Sequence, residues 1–346
     1  MNDEYKLKTG KERKPDSLVS IAIIVMDYQL RYFDELLSSI EHQTYESIEI
    51  VIIDKTNKAV VTKMVSGVRH TRRVEIIAFP DPAGFAHNNN VAISRCTGDF
   101  VFILNLDTRL DPTCIEELTA AMYLDESIGC VSPKLLRMDP DQNVYEPPVI
   151  DSAGMYITRI LRHMDRGAGQ VDVGQFDEKS YVFGATGAGA FFRTACLKDI
   201  EINGEYFDED FWSYREDADI SWRLQNYGWQ CLYTQKAVVY HVRTLKPGKR
   251  SGNSTLANMH SVKNRYLLLI NNISLRNYIR YFPFIFVRDI VVVGGVLIKE
   301  HRSFQAFTYL LKNVRKLLAK RRLIQAGVNN DVSSFWFNHK SITFYE

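Results

Sequence analysis

The chain has 346 residues, of which 46% are hydrophobic and 24% are charged, and its formal net charge is +2. This composition indicates a globular protein with a sizeable core, and the near-neutral charge argues against a nucleic-acid partner. The five cysteines form no CxxC pair, which disfavours a zinc site and suits reduced thiols in a cytosolic chain.

Strands and helices alternate in the N-terminal part of the chain. Residues 1–16 are polar and of mixed charge, and we expect a flexible tail without a secretory signal. The run LVSIAIIVMD is typical of a strand buried on both faces of a parallel sheet. Further strands are predicted at SIEIVIIDKTN, VEIIAFPD, DFVFILNLD and IGCVSPKLL, and helices at QLRYFDELLSSIEHQ, AHNNNVAISRC and PTCIEELTAAMYLDE. This alternation predicts an α/β fold with a doubly wound sheet.

Three carboxylates follow predicted strand ends, at Asp27, Asp54 and Asp107. Ligands of doubly wound sheets bind outside the carboxyl ends of the strands, where these side chains would converge. Aspartate is also common in turns and at helix N-caps, so any one of them could be purely structural. The three together favour a ligand site.

The middle of the chain, roughly residues 136–245, is less regular. GATGAGAFFRTACL lacks the order of a dinucleotide fingerprint and predicts a glycine-rich strand or bend that a backbone or a ligand approaches. FDEDFWSYREDADISWRLQNYGWQCLY predicts a helix ending near Gly228, with Glu216 and Asp217 in its first turn. That pair could serve only the helix dipole. QKAVVYHV predicts a strand with His241 near its end, and a lone histidine there is more often structural.

The region from about residue 260 onward is predicted to be helical, aromatic and basic. Between positions 276 and 322 it has eleven Lys and Arg residues and two acids. This pattern favours helices lying on an anionic membrane surface, although a packing domain with a solvated basic face is the alternative. We expect no membrane-spanning segment, because FPFIFVRDIVVVGGVLI carries Arg288 and Asp289 in its middle.

Several of these segments carry one joint resemblance. They are SIAIIVMDY, IVIIDKTN, AGFAHNNN, LNLDTRLDP, FDEDFWSYREDADISWRLQNYGW and VVYHV. Together they resemble family 2 glycosyltransferases of the GT-A fold, and most closely the bacterial rhamnosyltransferase-like branch that builds cell-surface polysaccharides. The resemblance covers about residues 17–245. It implies a GT-A catalytic domain over 17–260, with a doubly wound mixed sheet, and a helical, basic and aromatic region over 261–346.

The resemblance also implies roles for individual residues. Asp107 would hold Mg²⁺ or Mn²⁺ in a shortened D-x-D element, with His241 as a candidate second ligand. Mg²⁺ often takes only one or two carboxylates and completes its shell with water and phosphate, so one aspartate suffices. Asp217 would be the general base, a contribution typically worth about 10²–10⁴-fold. Glu216 would orient the site or the acceptor, and Asp54 would contact the nucleobase.

Further donor-binding residues follow from the same motifs. They are Asp27, Gly84, Asn90, Asn105, Gly187 and Arg223. Arg223 would contact the diphosphate or hold the acidic pair, and the sequence leaves both open. Pro82 and MDYQ depart from the family pattern beside the nucleotide pocket, which leaves the base and the sugar undetermined.

The resulting expectation is an inverting, metal-dependent glycosyltransferase on the inner face of the cell membrane. Its first-guess donor is dTDP-L-rhamnose, with a UDP-sugar as the other choice, and its acceptor is a glycan or a polyprenyl-diphosphate-linked glycan. A sugar nucleotidyltransferase is the alternative, although no glycine-rich phosphate loop follows the first strand. A non-catalytic protein of the same fold that binds sugar nucleotides or glycans also stays open. The main expectation requires Asp107 and Asp217 to flank one cavity.

Overall fold

The structure is a computed structural model that describes residues 17–56, 59–67, 72–79, 82–243 and 254–338. The expected tail at 1–16 lies outside the described residues. The strands are β1 (Val19–Val25), β2 (Ile48–Asp54), β3 (Arg73–Ala78), β4 (Phe100–Leu104), β5 (Thr108–Leu110), β6 (Ile128–Met138), β7 (Ile150–Ser152), β8 (Met155–Ile157), β9 (His163–Asp165), β10 (Ser180–Val182), β11 (Gly189–Arg193) and β12 (Gln230–Val242). The α-helices are α1 (Phe33–Glu41), α2 (Val60–Gly67), α3 (Phe85–Arg95), α4 (Cys114–Met122), α5 (Thr194–Asp199), α6 (Glu216–Asn226), α7 (Thr255–Asn272), α8 (Leu275–Ile298), α9 (Gln305–Lys312), α10 (Val314–Ala326) and α11 (Ser333–Phe337).

One large mixed sheet organises the described residues, with the main order β10-β12-β6-β11-β4-β1-β2-β3. Strands β1 to β4 pair in parallel, which agrees with their uninterrupted apolar runs. Strand β11 runs antiparallel between β4 and β6, and β5 adds to β12 in antiparallel orientation. The expected α/β fold with a doubly wound mixed sheet is confirmed.

Helices cover both faces of the sheet. The apolar residues of α1 recur at helical spacing, as in Phe33, Leu36, Leu37 and Ile40, and pack on one face together with α2 and α4. Helices α3, α5 and α6 pack on the other face. This layering leaves the carboxyl ends of the parallel strands open at one edge, where a ligand can enter.

The C-terminal helices pack directly on the preceding α/β part of the protein. The hydrophobic core between them includes Phe183 and Trp222 of the α/β part and Leu268, Ile285 and Trp336 of the C-terminal helices. Helix α7 crosses the expected boundary at 260/261. The helical C-terminal region is confirmed, and it forms one continuous hydrophobic core with α6 and the β8–β9 hairpin.

Some basic residues of the C-terminal region hold its helices against the rest of the protein. Lys320 is 7% exposed and donates to Asp208, Asp210 and Glu205, the last two at 2.8 and 2.9 Å. Arg321 donates to two backbone carbonyls that end α7. Lys320 thus holds α10 against the segment that precedes α6, Arg321 holds it against the end of α7, and neither is available to a membrane surface.

Helix α8 differs from its expectation. Its 24 residues have a mean hydropathy of 1.9 over the best 18-residue window, which would allow it to cross a bilayer by length and composition. Asp289 does not interrupt the apolar surface, because it accepts from Arg265 of α7 at 2.8 Å on the packed side. Only 22% of the window is buried, and Phe282 and Phe286 are 42% and 50% exposed.

Two shorter segments also differ from the sequence expectations. The first predicted helix begins as a 3-10 helix over Asp27–Tyr32 before α1 starts. Helix α2 was not predicted, because its eight residues are too few to show a clear helical period.

Candidate active site

A cleft of about 680 Å³ opens at the carboxyl ends of β1 and β4. This volume is within the range of small-molecule sites, roughly 300–1,000 Å³. Its lining includes Tyr28, Gly84, Asn105, Asp107, His163, Gly187, Trp212, Arg215, Glu216, Asp217 and His241. Asp107 and Asp217 therefore share one cavity, although 110 positions separate them in the sequence.

Strand pairing brings together the first of two acidic groups in the cleft, which is centred on Asp107. Thr108 pairs with His241 across β5 and β12, which places the preceding Asp107 beside the imidazole. Asp107 Oδ1 lies 3.5 Å from His241 Nε2. Asp151 accepts from His241 Nδ1 at 2.8 Å and from Arg243 at 2.9 Å. Asp151 thereby fixes the ring orientation, as a carboxylate behind a metal-binding histidine commonly does.

The protonation of His241 depends on the two carboxylates beside it. Burial lowers the pKa of His241, but its interactions with the carboxylates of Asp107 and Asp151 outweigh burial and raise the pKa to about 9. His241 is thus an imidazolium between two carboxylates when no other cation is present. A divalent cation would replace that proton.

The residues present fit a divalent cation. Asp107 Oδ1 is buried and has no hydrogen-bond partner among the described residues, and it faces the imidazole. In the described ranges no three metal-ligating side chains form a cluster. The site therefore offers Asp107 and His241, and Mg²⁺ and Mn²⁺ can complete such a shell with water and phosphate oxygens.

The second acidic group begins α6. Asp217 Oδ1 accepts from the Ala218 N–H at 2.8 Å, and Oδ2 accepts from the Gly187 N–H at 3.4 Å. Burial raises the pKa of Asp217, whereas these N–H groups and Arg215 oppose the shift. Burial and the charge of Asp217 also raise the pKa of Glu216, whose Oε2 has no partner in the described part of the chain. Glu216 therefore stays protonated when Asp217 is ionised.

The loop before α6 is held in a costly backbone conformation. Trp212, Tyr214 and Arg215 have φ angles of 67°, 72° and 69°, in the left-handed region. Such residues cost about 1–3 kcal/mol each and concentrate at functional sites. Asn264 of α7 holds the loop, because its Nδ2 donates to the carbonyls of Ser213 and Tyr214 at 2.8 and 2.6 Å. The C-terminal region thus shapes the cleft.

His163 brings a further side chain to Asp217. Its Nε2 lies 3.9 Å from Asp217 Oδ1, and its Nδ1 lies 3.5 Å from Arg215 Nη1. Arginine only donates, so Nδ1 is the acceptor and the proton is on the nitrogen that faces Asp217. Burial and the charge of Arg215 lower the pKa of His163 to about 3, so the ring is neutral.

Two glycines allow close approach at the cleft. A Cβ on Gly84 would lie 2.2 Å from the Trp212 carbonyl oxygen, so a side chain there would push the strained loop away from α3. A Cβ on Gly187 would lie 3.2 Å from the Phe85 ring and would crowd the N–H that contacts Asp217.

A family model described as glycosyltransferase like family 2 matches residues 19–259, more than half of the chain. The chain belongs to this family. The matched residues include the whole sheet and most of the cleft lining described above.

Two curated relatives are described as glycosyltransferases. This chain is 28% identical over 117 residues to an uncharacterized glycosyltransferase of Haemophilus influenzae, covering 33% of this chain and 36% of the relative. It is 27% identical over 168 residues to the pre-mycofactocin glycosyltransferase of Mycobacterium tuberculosis, covering 49% of this chain and 32% of the relative. The chain therefore spans about a third of the length of these relatives.

Solved structures show the same fold at low sequence identity. Residues 1–349 of TarS from S. aureus, in complex with UDP-GlcNAc, align with a TM-score of 0.55 and 16% identity, covering 90% of this chain and 87% of that one. GalNAc-T7 with UDP, GalNAc and Mn²⁺ aligns at 0.56 and 14%, covering 75% and 48%. A mannosyltransferase of Pyrobaculum calidifontis with GDP-Man and Mn²⁺ aligns at 0.51 and 13%, covering 97% and 92%. These likenesses confirm the GT-A fold.

Most of the predicted site residues lie at the cleft. Asp107, His241, Glu216, Asp217, Gly84, Asn105 and Gly187 all line it. Asp54 ends β2 at the same sheet edge, where its Oδ1 accepts from Thr56, and Asp27 is exposed at the start of the 3-10 helix. Neither aspartate belongs to the lining, and their donor-binding roles stay predictions.

Two predicted donor contacts are corrected by the structure. Arg223 is 1% exposed, pairs with Asp219 at 2.8 Å and donates to two carbonyls, so it reaches neither the cleft nor the Glu216–Asp217 pair. Asn90 donates to the Phe207 carbonyl at 2.8 Å and accepts from the Phe207 N–H. Both side chains hold the segment before α6 in place, which a motif match does not distinguish from ligand contact.

Sequence reasoning missed Asp151, His163 and Asn264. Asp151 and His163 belong to short strands of the irregular middle region, and Asn264 lies in a helix assigned to the C-terminal region. Only tertiary contacts reveal them. The one signal in the sequence is that each is a polar residue beside an apolar run.

Proposed function

We propose that this glycosyltransferase moves a sugar, with inversion, from a nucleoside diphosphate to a hydroxyl of a glycan or lipid-linked glycan. One observation carries the proposal: Asp107 and Asp217 line the same cleft, on different elements of the fold. Asp107 and His241 would hold Mg²⁺ or Mn²⁺, and Asp217 would be the general base. When bound, the cation would neutralise negative charge on the donor diphosphate.

The chain's own residues provide the proton transfer. The acceptor oxygen attacks the anomeric carbon and its proton passes to the Asp217 carboxylate, while the bond from that carbon to the diphosphate oxygen breaks and leaves its electron pair there. Burial raises the pKa of Asp217 toward that of a useful base. The Ala218 and Gly187 N–H groups orient its carboxylate, and protonated Glu216 can donate a hydrogen bond to the acceptor.

The family resemblance narrows the choice of sugar-nucleotide donor. dTDP-L-rhamnose is the first candidate, because the motifs resemble the rhamnosyltransferase-like branch. A UDP-sugar is the other candidate, and the structural neighbour TarS with bound UDP-GlcNAc supports it. Asp54, at the carboxyl end of β2, would accept from the ring N–H of a thymine or uracil base.

A membrane surface is part of the proposal. Phe282, Phe286, Val287, Ile290 and Val291 are each at least 42% exposed on one helix, α8. Such a face suits the apolar boundary of a bilayer, so the enzyme would lie on the inner face of the cell membrane. Replacing Phe282 and Phe286 by serine should weaken sedimentation with anionic vesicles, and unchanged sedimentation would exclude this surface.

A donor panel tests the reaction itself. The protein is incubated with dTDP-rhamnose, UDP-glucose, UDP-GlcNAc and GDP-mannose, each with Mg²⁺ or Mn²⁺, and products and melting temperature are measured. Release of a nucleoside diphosphate from one donor is expected. If pyrophosphate is added and the donor is then converted to a nucleoside triphosphate and a sugar 1-phosphate, the protein is a nucleotidyltransferase. Binding without any release, with or without added glycan acceptors, would indicate a non-catalytic protein.

A further inference from the structure

A second, smaller cavity adjoins the cleft and is lined by arginines. The volume of this cavity that is open to the centre of a water molecule is about 40 Å³. One water requires roughly 10–15 Å³ on the same measure, so the cavity has room for more than one water. Its lining is Arg162, Arg215, Arg265 and Arg288 with Ser261, Val262 and Val292. Arg215 and Ser261 also line the large cleft, so the two cavities share a wall.

Two guanidinium groups of this cavity have a nitrogen without a hydrogen-bond partner among the described residues. Arg265 is 2% exposed, and its Nη2 is buried without a hydrogen-bond partner in the described part of the chain. The Nε of Arg215 is in the same state. Leaving a buried donor of a charged group unpaired costs free energy, typically more than the 1–3 kcal/mol of a neutral group. Both groups would recover it by donating to an anion.

The charge of the cavity is unbalanced. Of its described lining residues four are arginines and none is acidic, although Arg265 pairs with Asp289 behind it at 2.8 Å. Burial and the charges of the other three arginines lower the pKa of Arg215 to about 10, against the opposing charge of Asp217. Bound negative charge would relieve this repulsion, and arginine forks match phosphate oxygens in geometry.

We propose that Arg162, Arg215, Arg265 and Arg288 form an anion site for the phosphate or diphosphate group of a lipid-linked acceptor. The inference rests on the proposed glycosyl transfer and deepens it by naming how the acceptor is held. The site lies beside Asp217, because Arg215 and Asp217 are two residues apart at the start of α6. An acceptor anchored there presents a hydroxyl to the base.

The donor diphosphate does not explain this cavity. The proposed cation at Asp107 and His241 would hold that diphosphate, and neither residue lines the arginine cavity. Helix α8 instead forms part of the cavity wall through Arg288 and Val292. A lipid attached to the anion would therefore leave the cavity beside the exposed apolar residues of α8.

Binding of pyrophosphate and of farnesyl diphosphate, measured by calorimetry without divalent metal, tests the site. The double variant Arg162→Gln/Arg288→Gln should bind both probes at least about tenfold more weakly, since each substitution removes a charge-assisted donor. The matched control is Arg276→Gln/Arg280→Gln, which removes two exposed arginines of α8 that do not line the cavity. The control should bind as the unmodified protein does.

The two probes separate the sources of the anion. Farnesyl diphosphate should bind more tightly than pyrophosphate, because its chain can lie on α8. Equal affinities would assign the site to a free anion and overturn the lipid-linked acceptor. Equal loss in both double variants, or in neither, would overturn the arginine site.

Donor hydrolysis by the same variants tests the proposed transferase activity separately from the proposed acceptor site. If Arg162→Gln/Arg288→Gln still releases nucleoside diphosphate from the donor but binds farnesyl diphosphate normally, only the acceptor site is wrong. If no variant and no unmodified protein releases nucleoside diphosphate from any donor, the transferase proposal itself fails.

Discussion

Buried charges occur in two regions of the molecule, and their partners differ. Where the C-terminal helices dock, Lys320 contacts Asp208 and Asp210, and Asp219 is held by Arg223 and the amides of Asn271 and Asn272. In the cleft, one oxygen each of Asp107 and Glu216 is buried without a hydrogen-bond partner among the described residues. Buried carboxyl groups with both oxygens hydrogen-bonded therefore mark architecture here, and those with an unpaired oxygen mark where ligands are expected.

The largest expected effect separates these two roles in one helix. Asp217→Asn should lower the rate of sugar transfer by about 10²–10⁴-fold, because the amide cannot accept the acceptor proton. Donor binding and the melting temperature should change little, since within the described ranges the Asp217 side chain accepts hydrogen bonds only from backbone N–H groups, and it faces the cleft. Steady-state kinetics and a donor thermal shift measure both.

Asp219→Asn is the matched control two positions along α6. It removes the charge that pairs with buried Arg223, so stability should fall while the Asp217 carboxylate keeps its place. If Asp217→Asn transfers sugar at the normal rate, the base is assigned wrongly. If Asp219→Asn leaves stability unchanged, the distinction between the two regions fails.

Lys320→Met should cost about 3–5 kcal/mol of unfolding free energy at neutral pH, because it removes the buried ammonium that pairs with the carboxylates of Asp208 and Asp210. Despite its burial, the pKa of Asp210 is lowered to about 2 by its lysine and tyrosine partners, from an ordinary value of 3.8. The stabilisation is therefore present above about pH 4 and is lost as the pH falls toward 2.

Urea unfolding at several pH values measures this effect. The gap between Lys320→Met and the unmodified protein should shrink as the pH falls through that window. Lys312→Met, at an exposed position of α9, should change stability by less than about 0.5 kcal/mol. A gap that grows toward low pH would contradict the Lys320 assignment.

Asp151→Asn should give a smaller effect, about 10–100-fold weaker binding of Mn²⁺, because it removes the carboxylate that orients His241. Calorimetric titration with Mn²⁺ in the presence of a nucleoside diphosphate measures it. Asp139→Asn, which also removes one carboxylate but lies half-buried in a turn after β6, provides the comparison. Equal affinity in all three proteins would exclude the cation site at His241.

The sequence predicted the sheet and both acidic groups for physical reasons. Strands β1, β2 and β4 are buried on both faces, so their apolar runs are unbroken. Asp107 and Asp217 follow strong local signals, a strand end and a helix start. Strands and site residues that depend on neighbouring positions in the chain could therefore be predicted from the sequence.

It failed where a role depends on a distant partner. Asn90 and Arg223 fit family motifs, yet their partners are backbone groups of the segment before α6. Asp289 seemed to interrupt an apolar segment, and only the fold shows that Arg265 neutralises it on the packed side. The arginine cavity joins residues from four separate elements or loops, which no linear pattern reports.

The pairing of β5 with β12 has a consequence for how the length of the chain is constrained. His241 stands opposite Thr108, and successive side chains of a strand point to opposite faces. Gaining or losing one residue between Val239 and His241 would turn the imidazole away from Asp107, although every cleft residue would still be present in the sequence. A change of two residues would turn it back, so this pair depends on the parity of a count as well as on residue type.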